Sequence, residues 1–332
     1  MFETFYGSGI IQDLFLLLEG KRVLFVTQQN LLDLYQKTIP STYRFILIDD
    51  VEEETLLSLN ATAPEADAVI GFGGGMSIDA AKYFAWQRAL PCYLAPTAVS
   101  VDACYSFPIA VRRNRVVHYV GEVLADGIYV DYNIIKTAPH TLNLSGVGDV
   151  LSCYTALFDW CLTAEHVEGE TVDSSLYDTA ETLLREMFDA AKDIALVTDK
   201  GIRLIMDAYR WVGIEGYQKK HCRFEEGSEH FLAYTIESVC GKHLLHGQLV
   251  CMCVWIMSKF QQEGRQNKVK QFLSDIGLSV KPSDVGLSDE ELIAALNKAN
   301  AFALDNRLAF SVLNIKTISD DFIQEVMAEI SI

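Results

Sequence analysis

Apolar and polar positions change their rhythm once along this chain, near residues 138–140. Before that point, short apolar runs alternate with segments whose apolar positions follow a helical period. Residues 22–27, 44–49, 66–72, 92–95 and 128–130 read as strands, and residues 31–37, 51–59 and about 75–86 as helices. Alternation of this kind predicts a parallel sheet with helices on both faces. Residues 107–111 and 116–120 flank Arg112-Arg113-Asn114-Arg115 and predict a β-hairpin with a basic tip. Asp131 stands where it would cap a short helix after the last strand.

After residue 139 the pattern becomes amphipathic and helical, at 151–162, 176–197, 202–217 and 229–239, with no strand-length β-branched run. The change of texture predicts an α/β domain over residues 1–138 and an all-helical domain over 139–332. No internal repeat or low-complexity segment interrupts either part.

The stretch from Gly71 to Lys82 follows an apolar run and opens into a helical pattern. Strand, glycine turn and helix together aim free backbone N–H groups at a phosphate, and the helix's positive end favours the anion. The spacing matches neither the Walker pattern nor G-x-G-x-x-G, so by itself it suggests a diphosphate site and no more.

Composition narrows the partners. At 332 residues the chain is long enough for two domains and a large core. The formal charge of −18 argues against nucleic acid or an anionic membrane, both of which need basic surface. A small-molecule substrate remains, phosphorylated or not, because one local positive site or metal can hold a phosphate. The cysteines contain no C-x-x-C pair, and Cys251 and Cys253 are spaced for neither a zinc knuckle nor a redox motif. Reduced, mostly buried thiols are expected. The N-terminus carries Glu3 and no basic residue before Lys21, unlike a signal peptide. Residues 249–257, the most apolar C-terminal stretch, fall short of the ~20 residues that span a bilayer. The expectation is a soluble, cytoplasmic protein with no membrane insertion.

Three side chains of the helical half are candidates for chemistry. Asp149 follows two glycines at the start of a helix, His230 lies just inside a helix that Ser228 is placed to cap, and His246 follows sixteen positions later. One carboxylate and two imidazoles suit a catalytic zinc or iron site that leaves a coordination position open. Taken singly, each also has an ordinary structural reading, as a helix cap or a hydrogen-bonded core histidine.

Five ordered motifs resemble the iron-containing alcohol dehydrogenase superfamily, which includes glycerol dehydrogenase and dehydroquinate synthase; within it the sn-glycerol-1-phosphate dehydrogenases are most similar. Residues 73–82 match G-G-G-x-x-x-D-x-A-K, and residues 96–102 with Ser106 resemble P-T-A-A-S-x-D-x-x-x-S. Residues 146–160 (GVGDVLSCYTALFDW) resemble G-x-G-D-L-L-x-K-Y-T-A-L-x-D-W. Arg223 with residues 227–230 resembles R-P-A-S-G-S-E-H, and residues 246–250 resemble H-G-E-Q-V. The resemblance implies the dehydroquinate synthase-like architecture: a Rossmann-like parallel-sheet α/β domain followed by an all-helical domain.

By position, it implies that Asp149, His230 and His246 hold a divalent metal, Zn²⁺ or Fe²⁺. It implies that Gly74, Gly75, Met76, Ser77, Ile78 and Asp79 hold the diphosphate of NAD or NADP, and that Thr97, Ala98, Val99, Ser100 and Ser106 line its nicotinamide side. Asp102, Asp149 and Tyr234 would face substrate. The implied activity is a metal-dependent, NAD(P)-linked dehydrogenation of a small polyol or its phosphate, with interconversion of dihydroxyacetone phosphate and glycerol 1-phosphate preferred. The expected assembly is a homo-oligomer. The alternatives are a glycerol or other alcohol/aldehyde dehydrogenase, a dehydroquinate synthase-like cyclase, and an inactive nucleotide-binding scaffold.

Three positions depart from the pattern. Tyr234 stands where the family has a second active-site histidine, and its phenol is a poor proton shuttle at neutral pH. His243 is a substitute for that histidine, or faces solvent. Phe224-Glu225-Glu226 replaces Pro-Ala-Ser: carboxylates facing the pocket would repel a phosphate, whereas a solvated pair, the usual outcome for adjacent glutamates, is harmless. Gln28 replaces an acid after the first strand, which leaves NADP open.

Overall fold

Six parallel strands form the spine of the first unit. The computed structural model describes residues 2–113 and 116–330. Contacts divide the chain into Met1–Asn143 with Tyr209–Gln218, and Leu144–Ala208 with Lys219–Ile332. The strands are β1 (Thr4–Gly7), β2 (Val23–Thr27), β3 (Arg44–Leu47), β4 (Ala68–Gly73), β5 (Cys92–Pro96) and β8 (Gly127–Asp131), ordered β1-β8-β5-β4-β2-β3. Helices α1 (Ile11–Leu17), α2 (Gln29–Tyr35), α3 (Glu53–Thr62) and α4 (Gly75–Arg88) connect them. β2, β4 and β8 are buried along their whole length, as unbroken apolar runs inside a covered parallel sheet must be. Phe15, Phe25, Tyr43 and Phe72 interlock on one face of this sheet.

The expected α/β layer is present, with two elements the pattern did not announce. β1 and α1 are too short to display a clear period; β1 is recognisable only by its pairing with β8, Thr4 opposite Ile128. The predicted hairpin is β6 (Pro108–Arg113) with β7 (Val116–Glu122), antiparallel with Val111 opposite His118. Asn114 and Arg115 of its basic tip lie outside the described residues. Asp131 caps α5 (Tyr132–Ile135), accepting from the N–H groups of Asn133 and Ile134, as its position predicts.

The second unit has no strand among its described residues. After α6 (His140–Ser145) come α7 (Gly148–Leu151), α8 (Cys153–His166), α9 (Ser174–Asp189), α10 (Ala191–Ala195), α11 (Asp199–Lys219, of which Tyr209–Gln218 belong to the first unit), α12 (Ser228–Cys240) and α13 (His246–Gln261). α14 (Gln266–Ile276), α15 (Pro282–Val285), α16 (Asp289–Asp305) and α17 (Asp320–Ile330) complete it. α13 is buried from Gly247 to Gln261, so the apolar stretch 249–257 is the unit's central helix. Among the described residues no helix is long and apolar enough to cross a membrane. All the cysteines are free thiols.

Two expected helices are each two. The 151–162 pattern splits at Ser152, whose hydroxyl donates back to the Asp149 carbonyl at 2.8 Å; such local bonding competes with helical pairing. The 176–197 pattern breaks at Ala190, whose N–H is shared between the carbonyls of Glu186 and Met187.

Candidate active site

Asp149, His230 and His246 converge. They start from three different helices, α7, α12 and α13, yet one donor atom from each lies within 4.8 Å of the other two. What permits this is backbone contact at the helix starts. A Cβ on Gly148 would stand 2.4 Å from the carbonyl oxygen of Gly247 and 2.7 Å from its Cα, closer than real side chains approach. The glycines beside Asp149 and His246 therefore let α7 and α13 touch, and His246 Nε2 comes to 3.3 Å from Asp149 Oδ1. Two donors on one tetrahedral zinc, each ~2.0–2.1 Å from it, stand roughly 3.3–3.4 Å apart, so this edge fits such an ion. Asp149 and His230 are buried, while the His246 side chain is 34% exposed and leaves the cluster one accessible side.

Glu229 orients the deepest of the three. Its Oε1 lies 3.0 Å from His230 Nδ1, which engages that nitrogen and leaves Nε2 as the ring's other donor atom. The same carboxylate accepts from Thr155 Oγ1 at 2.7 Å and from the Gly227 N–H at 2.6 Å, so it is itself held on three sides. A carboxylate behind a metal-facing imidazole is the usual way to fix its tautomer and rotation. Burial opposes a charge on His230, but the Glu229 contact and the carboxylates of Glu225, Glu229 and Glu226 outweigh it and raise the ring's pKa to about 10. The pocket is anionic and favours a cation.

Ser228 does not cap α12. Its N–H instead donates at 2.8 Å to Asp159 Oδ2 on α8, whose other oxygen accepts from the Val312 N–H at 2.8 Å. Asp159 is buried, and burial together with the neighbouring Glu229 charge pushes its pKa up to about 6. The acceptor comes from a residue distant in the chain, so the local S/T-cap signal at Ser228 misled.

The departures at 224–226 turn inward. Phe224 is fully buried, and Glu225 is only 8% exposed with Oε1 3.8 Å from His230 Nε2. The Tyr234 hydroxyl donates to Glu226 Oε1, so this carboxylate is engaged rather than solvated. Adjacent glutamates are normally a solvated pair; here Phe224 enters the core, and the segment turns both carboxylates toward α12. Tyr234 lies one turn beyond His230, ring centroids 6.1 Å apart. His243 is 59% exposed, near Glu237 and away from this cluster.

The glycine turn belongs to the sheet unit. β4 ends at Gly73 and α4 begins at Gly75, with Gly74 as its N-cap. A Cβ on Gly73 would fall 2.3 Å from Ser77 Oγ, and one on Gly71 2.7 Å from Ala81 Cβ, so glycine is what seats α4 on the sheet. The N–H groups of Gly75, Met76 and Ser77 open the helix without intrahelical acceptors, and the buried Ser77 hydroxyl has no protein partner among the described residues. This combination fits a dinucleotide's diphosphate. Ile78 follows, its N–H already bonded to the Gly74 carbonyl.

Residues 97–106 are tied to this turn. The Thr97 N–H donates to the Gly73 carbonyl at 3.0 Å, and that of Val99 to Asn143 Oδ1 at 2.9 Å. Thr97, Ala98, Val99 and Ser100 are buried; Asp102 and Ser106 are partly exposed. Lys82, which the sequence reading gave no role, is buried and places its ammonium 2.9–3.1 Å from the carbonyls of Ala103, Ser106 and Pro108 and 2.9 Å from Asp79 Oδ1. Asp79 also accepts from the Ala110 N–H, so it builds the loop from within. Its buried carboxyl has a raised pKa because desolvation exceeds the attraction of Lys82.

Residues 11–139 match a family model described as iron-containing alcohol dehydrogenase. The chain is 30% identical over 237 residues to a glycerol-1-phosphate dehydrogenase, NAD(P)+, of Thermoplasma acidophilum, covering 71% of this chain and 67% of that one. Its fold is similar to that of glycerol dehydrogenase from Schizosaccharomyces pombe, TM-score 0.74 at 18% identity over 100% of this chain and 90% of the other. It is similar also to a probable glycerol dehydrogenase from Sinorhizobium meliloti 1021, TM-score 0.72 at 20% identity over 99% and 96%.

Proposed function

This chain belongs to the iron-containing alcohol dehydrogenase family, and from that footing we propose a metal-dependent, NAD(P)-linked dehydrogenase of a small polyol or polyol phosphate. Interconversion of dihydroxyacetone phosphate and glycerol 1-phosphate is the preferred reaction, supported by similarity to the Thermoplasma protein named as a glycerol-1-phosphate dehydrogenase. The observation that carries the reading is the convergence of Asp149, His230 and His246 within 4.8 Å.

The sheet unit would hold the dinucleotide at Gly74–Asp79, and the helical unit the metal and substrate. When bound, the divalent cation would polarise the substrate oxygen while the nicotinamide exchanges hydride with the adjacent carbon. The protein's own part is alignment. Glu229 fixes the His230 ring, and the Gly148–Gly247 contact fixes the approach of Asp149 to His246. Tyr234, its hydroxyl held by Glu226, presents a polar edge one helical turn away. Lys82 sets the loop that carries Ser106, and Asn143 fixes the loop at Val99. Gln28, the uncharged N-cap residue of α2, neither captures a ribose hydroxyl as an acid would nor repels a 2′-phosphate, which suits NAD and NADP alike. An Asp/His/His set accommodates Zn²⁺ and Fe²⁺.

The test is turnover by the purified, metal-loaded chain. Glycerol 1-phosphate and glycerol with NAD⁺ or NADP⁺, and the corresponding ketones with the reduced cofactors, are followed by nicotinamide absorbance. Stoichiometric net cofactor turnover with a polyol or its phosphate is expected. No net change with any of these, or product formed with the cofactor returned unchanged, as a cyclase would do, overturns the reading.

A further inference from the structure

We propose that the sheet edge formed by β3 pairs with β3 of a second copy of this chain, antiparallel about a two-fold axis at Leu47. The inference goes beyond the dehydrogenase reading and does not rest on it. β3 ends the strand order and pairs with β2 alone among the described residues. β1, at the other end, is partly buried along its whole length, whereas Arg44, Phe45 and Leu47 of β3 are exposed. Free edges are commonly protected by proline, lysine or a bulge. Arg44–Leu47 contains neither residue, and its register with β2 runs unbroken.

The ladder with β2 decides which backbone groups are available. The Ile48 N–H donates to the Thr27 carbonyl at 3.0 Å, and so points toward β2. Backbone groups of successive strand residues point to opposite sides. Those of Ile46 therefore also face β2, and those of Phe45 and Leu47 face away from it, toward a further strand. The side chains of Phe45 and Leu47 share one face of the sheet and are 37% and 38% exposed, so a partner strand would cover apolar surface as well.

Charge picks the occupant and the register. The segment Arg44-Phe45-Ile46-Leu47-Ile48-Asp49-Asp50 is basic at its start and acidic at its end, so it complements itself when reversed. An antiparallel partner can meet the outward backbone groups about an axis at Ile46 or at Leu47. The first sets Arg44 opposite Ile48; the second sets Arg44 opposite Asp50 of the partner subunit and Ile46 opposite Ile48 of the partner subunit. Opposite charges directly across a strand pair are favourable, which selects Leu47. Two-fold symmetry repeats the Arg44–Asp50 pair at both ends, as an isologous contact requires. Asp50 Oδ1 accepts from the Glu52 N–H at 2.9 Å, which holds this carboxylate at the end of the segment. In a chain of formal charge −18, such local pairs let two acidic copies approach.

The experiment follows the mass of the full chain by sedimentation velocity and light scattering, at concentrations on the order of 1–100 μM. It is run alongside Leu47→Lys, Arg44→Glu and the double variant Arg44→Glu with Asp50→Lys. A dimer is expected for the parent chain. Leu47→Lys places two ammonium groups on the axis and Arg44→Glu places like charges at both ends, so each should weaken the dimer at least about tenfold. The double variant should recover it, because each end again pairs opposite charges. The three positions are exposed, so melting temperatures should stay close to that of the parent chain. A parent chain that is monomeric throughout, or a dimer that either single variant leaves at parental strength, overturns the proposal. If the parent forms a larger assembly, Leu47→Lys should halve it, and an unchanged mass overturns the proposal. Recovery in the double variant separates loss of pairing from loss of folding, and a double variant as weak as Arg44→Glu overturns the Leu47 register.

Discussion

Gly148 and Gly247 meet backbone to backbone: a methyl group on Gly148 would sit 2.4 Å from the Gly247 carbonyl oxygen. Each glycine adjoins a candidate ligand, so the contact that joins two helices also sets the distance between Asp149 and His246. Gly148→Ala must push α7 away from α13. Overpacking of this kind costs about 1–3 kcal/mol. The variant is expected to lose zinc affinity as well as stability, measured by calorimetry and by denaturant unfolding of the metal-free chain. Loss of stability with metal affinity intact would show that the glycine pair serves packing alone.

Glu229 stands behind His230 and is held by Thr155 and Gly227. Glu229→Gln keeps the side-chain shape but offers one acceptor where there were two. Loss of such a supporting carboxylate weakens metal binding roughly 10- to 100-fold. A competition titration against a chelator of known affinity checks this, and an unchanged dissociation constant would mean the ring needs no such partner.

Lys82 is a buried cation that holds three carbonyls and Asp79. Lys82→Met leaves the Asp79 carboxylate buried without its partner, a change that costs about 3–5 kcal/mol. The pair Lys82→Met with Asp79→Asn should cost less than the sum of the two single changes, because neither charge is then stranded. Urea unfolding gives the energies. Binding of NADH, followed by its fluorescence, should weaken in the stable double variant because residues 103–108 lose their anchor.

Asp159 gives a pH signature. Its folded-state pKa lies at about 6, above that of an unfolded aspartate, because of burial and the charge of Glu229. The folded state thus favours the protonated carboxyl. Its stabilising contribution is complete below about pH 4 and is lost as pH rises through about 6. Asp159→Asn, fixed in a neutral form, should gain stability relative to the parent chain across that window. Denaturation midpoints of both chains at several pH values test the point, and a pH-independent difference would contradict it.

The legible part of this molecule was what repeats locally. β2, β4 and β8 are covered on both faces and show as apolar runs, and the glycine turn shows as a break in period. Asp149, His230 and His246 stood out singly by residue type and place near helix starts, but only motif resemblance joined them, since no spacing rule links residues whose helices meet through a glycine contact. Hidden entirely were contacts made by distant chain segments: Asp159 taking the place of Ser228 at the start of α12, Lys82 holding a loop beyond its own helix, and Glu225 turned inward by the burial of Phe224. A pair of adjacent glutamates carries no local sign of that burial.

Asp149, His230 and His246 are expected to bind a single divalent cation. The most direct test is calorimetric titration of the metal-stripped chain with Zn²⁺, repeated on Asp149→Ala and His246→Ala. One site per chain is expected in the parent protein, with its loss in both variants while their metal-free folds persist. Binding that survives both substitutions, or no binding in the parent chain, would contradict it.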